Sequence, residues 1–177
     1  MSFDKTKLCA CGDNVDIHDT AIIKRPELAS IGNNVRICAF TEITSAIEFG
    51  DHIEIVTGTT IKGGGGARKF VMEGYSSLAK GVSIWLATND YRNGLVTHSV
   101  DGVEEVTGDI VMEKYTGVGS HSVIMPGVVF REGSRVGALS FVPPDMVLEP
   151  WTIYAGTPVH KIGEVNRESV LAPLGEK

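Results

Sequence analysis

Five histidines are the side chains of this sequence best suited to move a proton near neutral pH, because imidazole titrates in that range. His98 lies in a stretch, residues 89–108, that shares no pattern with the rest of the chain. His121 follows Gly119-Ser120 at a predicted turn. Each is a candidate general base, and each also has an ordinary explanation, as a solvated loop histidine or as a turn residue.

Four consecutive glycines at positions 63–66 invite comparison with a phosphate-binding loop. The stretch lacks the spacing of such a loop and the Lys-Ser/Thr pair that should follow it. We interpret it as a flexible break between two structural units. Cys9 and Cys11 stand one residue apart, which does not fit a metal-binding C-x-x-C pair.

The elements that must position these residues repeat every six residues. Between Val118 and Pro158 the chain reads VGSHSV-IMPGVV-FREGSR-VGALSF-VPPDMV-LEPWTI-YAGTP, and an earlier stretch reads IGNNVR-ICAFTE-ITSAIE-FGDHIE-IVTGTT. A large apolar residue opens each unit, and a mostly small residue stands four places later in the late units. A fixed period marks a solenoid, and six is the period of a β-helix. A sandwich would instead place turns roughly 8–12 residues apart.

The period also predicts which side chains point inward. Successive side chains of a strand alternate between faces, so position five of one unit and position one of the next share a face. Ser122 and Ile124 therefore point into the coil, and Val123 points out. Pro126-Gly127 suits a turn, so three strands and three turns should close one triangular coil.

These patterns divide the chain into an N-terminal segment at 1–14, a β-helix at 15–159 and a C-terminal tail at 160–177. A loop at about 89–108 is expelled from one corner of the helix, and loops of this length are commonly functional. The part of the tail at 164–171 is predicted to form a short helix on the last coil.

Composition limits the function. The net charge of −6 argues against nucleic-acid binding, and no apolar run is long enough to span a bilayer or serve as a signal peptide. Three cysteines are an odd and sparse set, which favours a reducing compartment such as the cytoplasm.

Outward positions of the late coils are mostly apolar. Residues eighteen apart stack on one face, so Val123 should pair with Phe141, and Val129 with Val147. Exposed apolar strips usually mark an interface, and we expect a homotrimer.

The chain resembles the hexapeptide-repeat acyltransferases, which fold as a left-handed parallel β-helix. The resemblance is carried by Pro126-Gly127-Val128, by V-G-A-x-S at Val136 to Ser140, and by Y-A-G-T-P at Tyr154 to Pro158. It covers roughly Val15 to Ile162 and is nearest to acetyltransferases of sugars and of surface-polysaccharide precursors. It implies transfer of an acetyl group from acetyl-CoA to an amino or hydroxyl group of a sugar, expected to be nucleotide-linked, for lipopolysaccharide or a related polymer.

The resemblance also implies site residues. Active sites of such enzymes lie in clefts between neighbouring subunits. Gly119, Gly137, Ala138 and Ser140 would line the pantetheine arm of acetyl-CoA, and Lys161 would sit near the CoA phosphates. The small size of these residues can also be explained without a ligand, because they occupy turn and core positions of the repeat.

The catalytic group departs from the pattern. Many members that this chain resembles carry T-H-D-Y where the loop begins, with the histidine as base; this chain reads Thr88-Asn89-Asp90-Tyr91. Asn89 cannot accept a proton, although its amide could orient the acceptor. The base could be His98, His121, or neither, because an amino-sugar nitrogen needs less activation and Asp90 could take its proton. Tyr91 and Arg92 are expected to shape the acceptor site.

Two other functions are known for proteins of this fold or fit the sequence in part. A γ-class carbonic anhydrase-like hydratase would need three zinc-binding histidines, including a pair five residues apart, and this chain has no such pair. No metal is therefore expected. A catalytically inactive β-helix scaffold remains open because of Asn89.

Overall fold

A computed structural model describes residues 3–90, 92 and 103–175, and shows a left-handed parallel β-helix of about 7 coils. The first four coils contain β1 (Ala10–Cys11), β2 (Asp16–Ile17), β3 (Ile22–Ile23), β4 (Ala29–Ile31), β5 (Val35–Ile37), β6 (Glu42–Ile43), β7 (Ala46–Ile55), β8 (Thr60–Lys62), β9 (Lys69–Leu78) and β10 (Ser83–Trp85). Both β7 and β9 bend around one corner and contribute to two faces.

An antiparallel pair, β11 (Ala87–Asn89) and β12 (Glu105–Thr107), interrupts the solenoid at the root of the expelled loop. The later coils contain β13 (Ile110–Met112), β14 (Gly117–Val118), β15 (Val123–Ile124), β16 (Val129–Phe130), β17 (Arg135–Val136), β18 (Phe141–Val142), β19 (Val147–Leu148) and β20 (Thr152–Gly156). Strand β21 (Val159–Glu164) pairs antiparallel with β20, and helix α1 (Arg167–Leu171) follows. Short 3-10 turns lie at Lys5–Lys7, Pro26–Leu28, Gly64–Gly66 and Ala172–Leu174.

Parallel pairing between coils builds three faces. The first face contains β1, β4, β13, β16, β19 and the starts of β7 and β9; the second contains β2, β5, β14, β17, β20 and the ends of β7 and β9. The third contains β3, β6, β8, β10, β15 and β18. We name the corners in chain order: the first corner joins the first and second faces, the second corner joins the second and third, and the third corner leads back to the first.

The core is the column of residues that open the six-residue units, and the predicted inward positions are confirmed. Ile43, Ile55 and Ile61 are fully buried, as are Ile124 and Phe130. The small partners Ser122, Val128, Ser134 and Ser140 are buried beside them. The predicted outward pairs are also found, with Val123 beside Phe141 and Val129 beside Val147.

Planar side chains stack along the first corner. The ring centroids of His52 and Tyr75 lie 4.5 Å apart, those of Tyr75 and Tyr115 5.5 Å, and those of Tyr115 and Trp151 6.0 Å. The Arg167 guanidinium lies 5.5 Å from the centre of the Trp151 ring. All four rings stand on backbone with positive φ, a conformation that costs roughly 1–2 kcal/mol per residue. Aromatic pairing of about 0.5–1.5 kcal/mol per contact offsets part of this cost.

Gly133 leaves the space that Trp151 fills. It has φ +70° at the first corner, and a Cβ there would overlap the Trp151 indole. We predict that Gly133→Ala lowers the free energy of unfolding by about 2–4 kcal/mol and moves Trp151 off the stack, measured by urea unfolding and tryptophan fluorescence.

Gly58→Ala is the matched control, because Gly58 also has positive φ (+75°) but a Cβ added there would meet no atom within 4 Å. It should cost only about 1 kcal/mol. Equal destabilisation by the two variants would show that the indole does not depend on the glycine.

Candidate functional site

A cleft of about 1170 Å³ opens at the third corner, where the expelled loop leaves the β-helix. One wall is the glycine-rich stretch with Ala67 and Arg68, and the opposite wall is the root of the loop. Trp85 and Met125, which point outward from the third face, lie between these walls. The cleft is therefore built from the connection between the third and fourth coils, from the third face of the fourth and fifth coils, and from the insertion between those two coils.

The glycine-rich wall has a defined conformation. Glycines 63–66 all have positive φ, between +53° and +95°. The Ser45 hydroxyl donates to the Gly63 carbonyl at 2.7 Å, and the Arg25 guanidinium donates to the Gly65 carbonyl. A side chain on Gly63 would collide with Ala87. The sequence pattern predicts only a break between coils here, and does not show that Gly63, Gly64 and Gly65 line the cleft. Four consecutive glycines at a break in the six-residue period were the available signal.

The loop root is tied to that wall through an arginine. Arg68 donates from Nε and Nη2 to the Thr107 hydroxyl at 3.2 and 3.1 Å. The Gly108 amide donates to the Leu86 carbonyl at 3.0 Å, which closes the base of the insertion. The insertion thus leaves the solenoid after Leu86, slightly before the expected start at residue 89.

Asn89 and Asp90 lie at the end of β11, on the loop side of the cleft. Asn89 lines the cleft and pairs with Glu105 in the hairpin. The Asp90 amide donates to the Glu104 carbonyl at 2.8 Å, and its carboxylate accepts from the Arg92 amide at 2.9 Å and from Arg92 Nε at 3.3 Å. The Asp90 side chain is only 13% exposed, whereas that of Arg92 is 83% exposed. Tyr91 and His98 lie outside the described residues.

His121 lies at a different corner. It has positive φ (+59°) at the second corner, its amide donates to the Lys80 carbonyl at 3.0 Å, and its exposed ring covers Gly81. It is not among the residues that line the cleft. Within one chain, the third face separates His121 from Asn89.

The residues expected to hold the acyl donor also lie at or near the second corner. Gly119 sits directly below Ala138, and a side chain on Gly119 would collide with the backbone there. Gly137 lies below Ala155, whose Cβ would be 3.1 Å from a side chain on Gly137. Close stacking of coils therefore accounts for both glycines, and Ala138 stays exposed on the ridge they form.

The Ser140 hydroxyl is buried inside this corner, with 2% of the residue exposed. It donates to the Ala138 carbonyl at 3.3 Å and accepts from the Gly156 amide at 3.1 Å. The Ser140 amide in turn donates to the Ser122 hydroxyl at 3.1 Å. The side chain thus joins the sixth coil to the end of β20.

Lys161 lies on β21, exposed, with its Nζ 3.8 Å from Glu149 and 3.4 Å from Glu164. Near the cleft, Lys62 lies 2.6 Å from Glu42, and Lys24 lies 3.5 Å from the same carboxylate. The hydrogen bond from Lys62 lowers the pKa of Glu42 below its ordinary value. The charge of Lys62 is therefore compensated on the third face.

Neither a cluster of metal-ligating side chains nor a helix able to span a membrane is found among residues 3–90, 92 and 103–175. Among these residues no three His, Cys, Asp or Glu side chains cluster in a way that could hold a metal ion. None of the helices there is long and apolar enough to cross a membrane.

Comparison with known proteins places this architecture. No family model matches the chain. It is 32% identical over 173 residues to a dTDP-4-amino-4,6-dideoxy-D-glucose acyltransferase of Escherichia coli, covering 92% of this chain and 88% of that protein. The structure of AntD, an N-acyltransferase from Bacillus cereus in complex with dTDP and 3-hydroxybutyryl-CoA, superposes with a TM-score of 0.89 at 31% identity, over 97% of this chain and 90% of AntD. A hexapeptide-repeat acetyltransferase of Vibrio cholerae, 18% identical with a TM-score of 0.62 over 92% and 77% of the two chains, shares the fold.

The chain belongs to the hexapeptide-repeat acyltransferases, as predicted from its repeat and C-terminal motifs. Within them it belongs to the sugar acyltransferases, and it is an acyl-CoA-dependent enzyme. The prediction of an acyltransferase with a β-helix fold is confirmed. The two alternatives, an inactive scaffold and a carbonic anhydrase-like hydratase, are not supported.

The buried hydroxyl of Ser140 gives a test of its role. We predict that Ser140→Ala lowers the free energy of unfolding by about 1–2 kcal/mol, because the Gly156 amide loses its acceptor in a partly buried position. Acyl-CoA affinity, measured by calorimetric titration, should change less than about threefold.

Ser120→Ala serves as the control, since Ser120 lies in the same corner but is partly exposed. Loss of acyl-CoA affinity in Ser140→Ala at unchanged stability would assign the hydroxyl to the ligand instead of to the corner.

Proposed function

We propose that this enzyme transfers an acyl group, acetyl by default, from acyl-CoA to the amino group of a dTDP-linked 4-amino-4,6-dideoxy sugar. The similarity to the E. coli acyltransferase and to AntD supports the acceptor class and N-acylation. Asn89 in place of a histidine supports an amine over a hydroxyl, because a neutral amine already has a free lone pair. The observation that carries the proposal is a cleft large enough for a nucleotide sugar, lined by Asn89 and followed directly in the chain by a carboxylate, Asp90, whose side chain is only 13% exposed.

Asp90 is proposed as the proton acceptor. The Arg92 amide and guanidinium, together with the Glu104 carbonyl, hold the residue at the end of β11. As the sugar nitrogen attacks the thioester carbonyl, a C–N bond forms and the C–S bond breaks. The proton lost by nitrogen passes to the Asp90 carboxylate, directly or through water, and from there to the departing CoA thiolate, which leaves as the free thiol and restores the carboxylate. The Asn89 amide orients the acceptor or donates to the thioester oxygen.

The acyl donor is proposed to lie along the second corner. Gly119, Gly137 and Ala138 present little side-chain bulk there, and exposed backbone can bind a pantetheine arm. Ser140 contributes by fixing the corner. Lys161, between two carboxylates, would exchange one of them for a CoA phosphate. His121 would lie beside this arm, and its imidazole is not required as a base.

The two halves of the proposed site require a second chain. In one chain the acceptor cleft lies at the third corner and the donor ridge at the second, with the whole third face between them. A neighbour whose second corner approaches this third corner would complete the site. The outward apolar pairs Val123 with Phe141 and Val129 with Val147 offer the surface for such contacts, and we propose a homotrimer.

We also propose that the enzyme acts in the cytoplasm and that its product enters lipopolysaccharide or a related surface polymer. Nucleotide sugars and acyl-CoA are both made there, and Cys9, Cys11 and Cys38 are free thiols.

The function is tested by incubating the enzyme with acetyl-CoA and dTDP-4-amino-4,6-dideoxyglucose. We expect thiol release and a product heavier than the acceptor by one acetyl group. The matching 4-hydroxy nucleotide sugar is the control, and equal turnover of that compound would overturn the assignment to an amine.

We predict that Asp90→Asn lowers kcat by about 100-fold or more while acyl-CoA affinity is unchanged, because the amide cannot accept the proton. Steady-state kinetics measure both. His98→Ala and His121→Ala should each retain activity within about tenfold. A loss in either histidine variant as large as that in Asp90→Asn would make that histidine the base.

Sedimentation should give a mass three times that of the 18.9 kDa chain. Phe141→Glu, which places a charge in the proposed interface, should dissociate the trimer and abolish turnover together. Arg135→Glu on the second face, already exposed and charged, is the control. An active monomer would refute the shared site.

A further inference from the structure

We infer that Arg68 binds the diphosphate of the nucleotide-sugar acceptor, with the glycine-rich wall as the surface against which the phosphates lie. The inference rests on the proposed function and adds the anchor that places the sugar in the cleft. No motif in the sequence singles out Arg68.

Arg68 is the cation of the cleft. Among the described residues that line it, the charged side chains are Arg68 and Glu105. Within the same described set, no carboxylate lies within 4 Å of the Arg68 guanidinium. The guanidinium is held by the neutral Thr107 hydroxyl, which accepts from Nε and from one hydrogen of Nη2. Both Nη1 hydrogens and the second Nη2 hydrogen are left for a ligand.

Two neighbouring lysines are paired with carboxylates: Lys62 with Glu42, and Lys69 with Glu48 at 2.7 Å. Arg25 keeps its charge, since it donates to the neutral Gly65 carbonyl, but it is not among the described residues that line the cleft. In a chain of net charge −6, Arg68 is therefore the cation placed to contact a dianionic ligand inside the cleft. A guanidinium with a fixed plane suits phosphate, since it can donate two parallel hydrogen bonds.

The wall beside Arg68 lets a ligand come close to the backbone. A side chain on Gly64 would collide with Arg68 itself, so the stem of the arginine lies directly over this glycine. Gly65 faces open space, because a Cβ added there would meet no atom within 4 Å. Phosphate oxygens can thus reach both the guanidinium and the chain beneath it.

The hairpin sets the distance from this anchor to the reacting group. Thr107, which holds Arg68, pairs with Ala87, and Glu105 pairs with Asn89. Two residues along a strand span roughly 7 Å, a distance on the scale of one pyranose ring. A diphosphate at Arg68 would therefore place the far side of the sugar, where the amine stands, near Asn89 and Asp90.

The test is calorimetric titration of the protein with dTDP, thymidine and acetyl-CoA. Arg68→Gln should weaken dTDP binding by about 10- to 100-fold, as expected for a charged hydrogen bond, and leave thymidine and acetyl-CoA affinities unchanged. Arg68→Lys, which keeps the charge, should retain more dTDP affinity than Arg68→Gln. Arg131→Gln is the control, since Arg131 is exposed and pairs with Glu113.

Thr107→Val separates charge from loop anchoring. It removes the hydroxyl that holds Arg68 but not the cation, and should weaken dTDP binding less than Arg68→Gln does. Equal losses in Arg68→Gln, Arg68→Lys and Thr107→Val, or equal losses for dTDP and thymidine, would overturn the phosphate contact. Arg68-dependent dTDP binding without amino-sugar turnover would refute the proposed function but leave this contact standing, whereas a wild-type protein that does not bind dTDP would refute both.

Discussion

Within the described residues, each coil pairs in parallel with the coil before it and the coil after it, and the other features of the molecule follow from this pairing. Parallel register fixes which side chains stack, so every inward position adds to one continuous column, which on the second face runs from Ile17 through Ile37 and Ile55 to Val136. A shift of one residue in the register of a strand would turn its inward side chains outward and break the column. The chain therefore needs the same spacing of turns in coil after coil, and the six-residue period is the result.

The regular spacing of turns has an energetic cost, which falls on the backbone of the corners. The tight turns of the first corner use positive φ in every coil, and non-glycine residues such as Tyr115 and Trp151 adopt it there. Stacking of the aromatic rings offsets part of that repeated cost, and the Arg167 guanidinium packs over the Trp151 ring at one end of the stack. At the second corner the same need for closeness selects Gly119 and Gly137, which also makes the ridge low enough for a ligand. Close stacking of the coils thus stabilises the first corner through its rings and leaves backbone accessible at the second corner.

The insertion at the third corner interrupts the six-residue repeat and carries the residues proposed to take part in the reaction. Leaving the solenoid after Leu86 and rejoining it at Gly108 keeps the core column intact while β11 and β12 project outward. Asp90 is held by this hairpin, and Arg68 joins the hairpin to the glycine-rich wall. The cleft consequently depends on a scaffold that the insertion does not disturb, and the proposed reaction also needs a neighbouring chain to supply the proposed donor ridge.

The sequence by itself determined the coil, its inward residues and the family, because a period of six constrains every position in the same way. It also marked Asn89 and Asp90, since a departure from a motif is visible in the letters. It did not reveal the role of glycines 63–66, nor that Arg68 lines the same cleft as Asn89. Nor did it show that His121 lies a full face away from that cleft. Only the tertiary structure decided these points, because they depend on which corner each irregular segment occupies. A repeat fixes positions along and within the coil, but where the repeat is broken the neighbours are set by three-dimensional packing between segments distant in sequence.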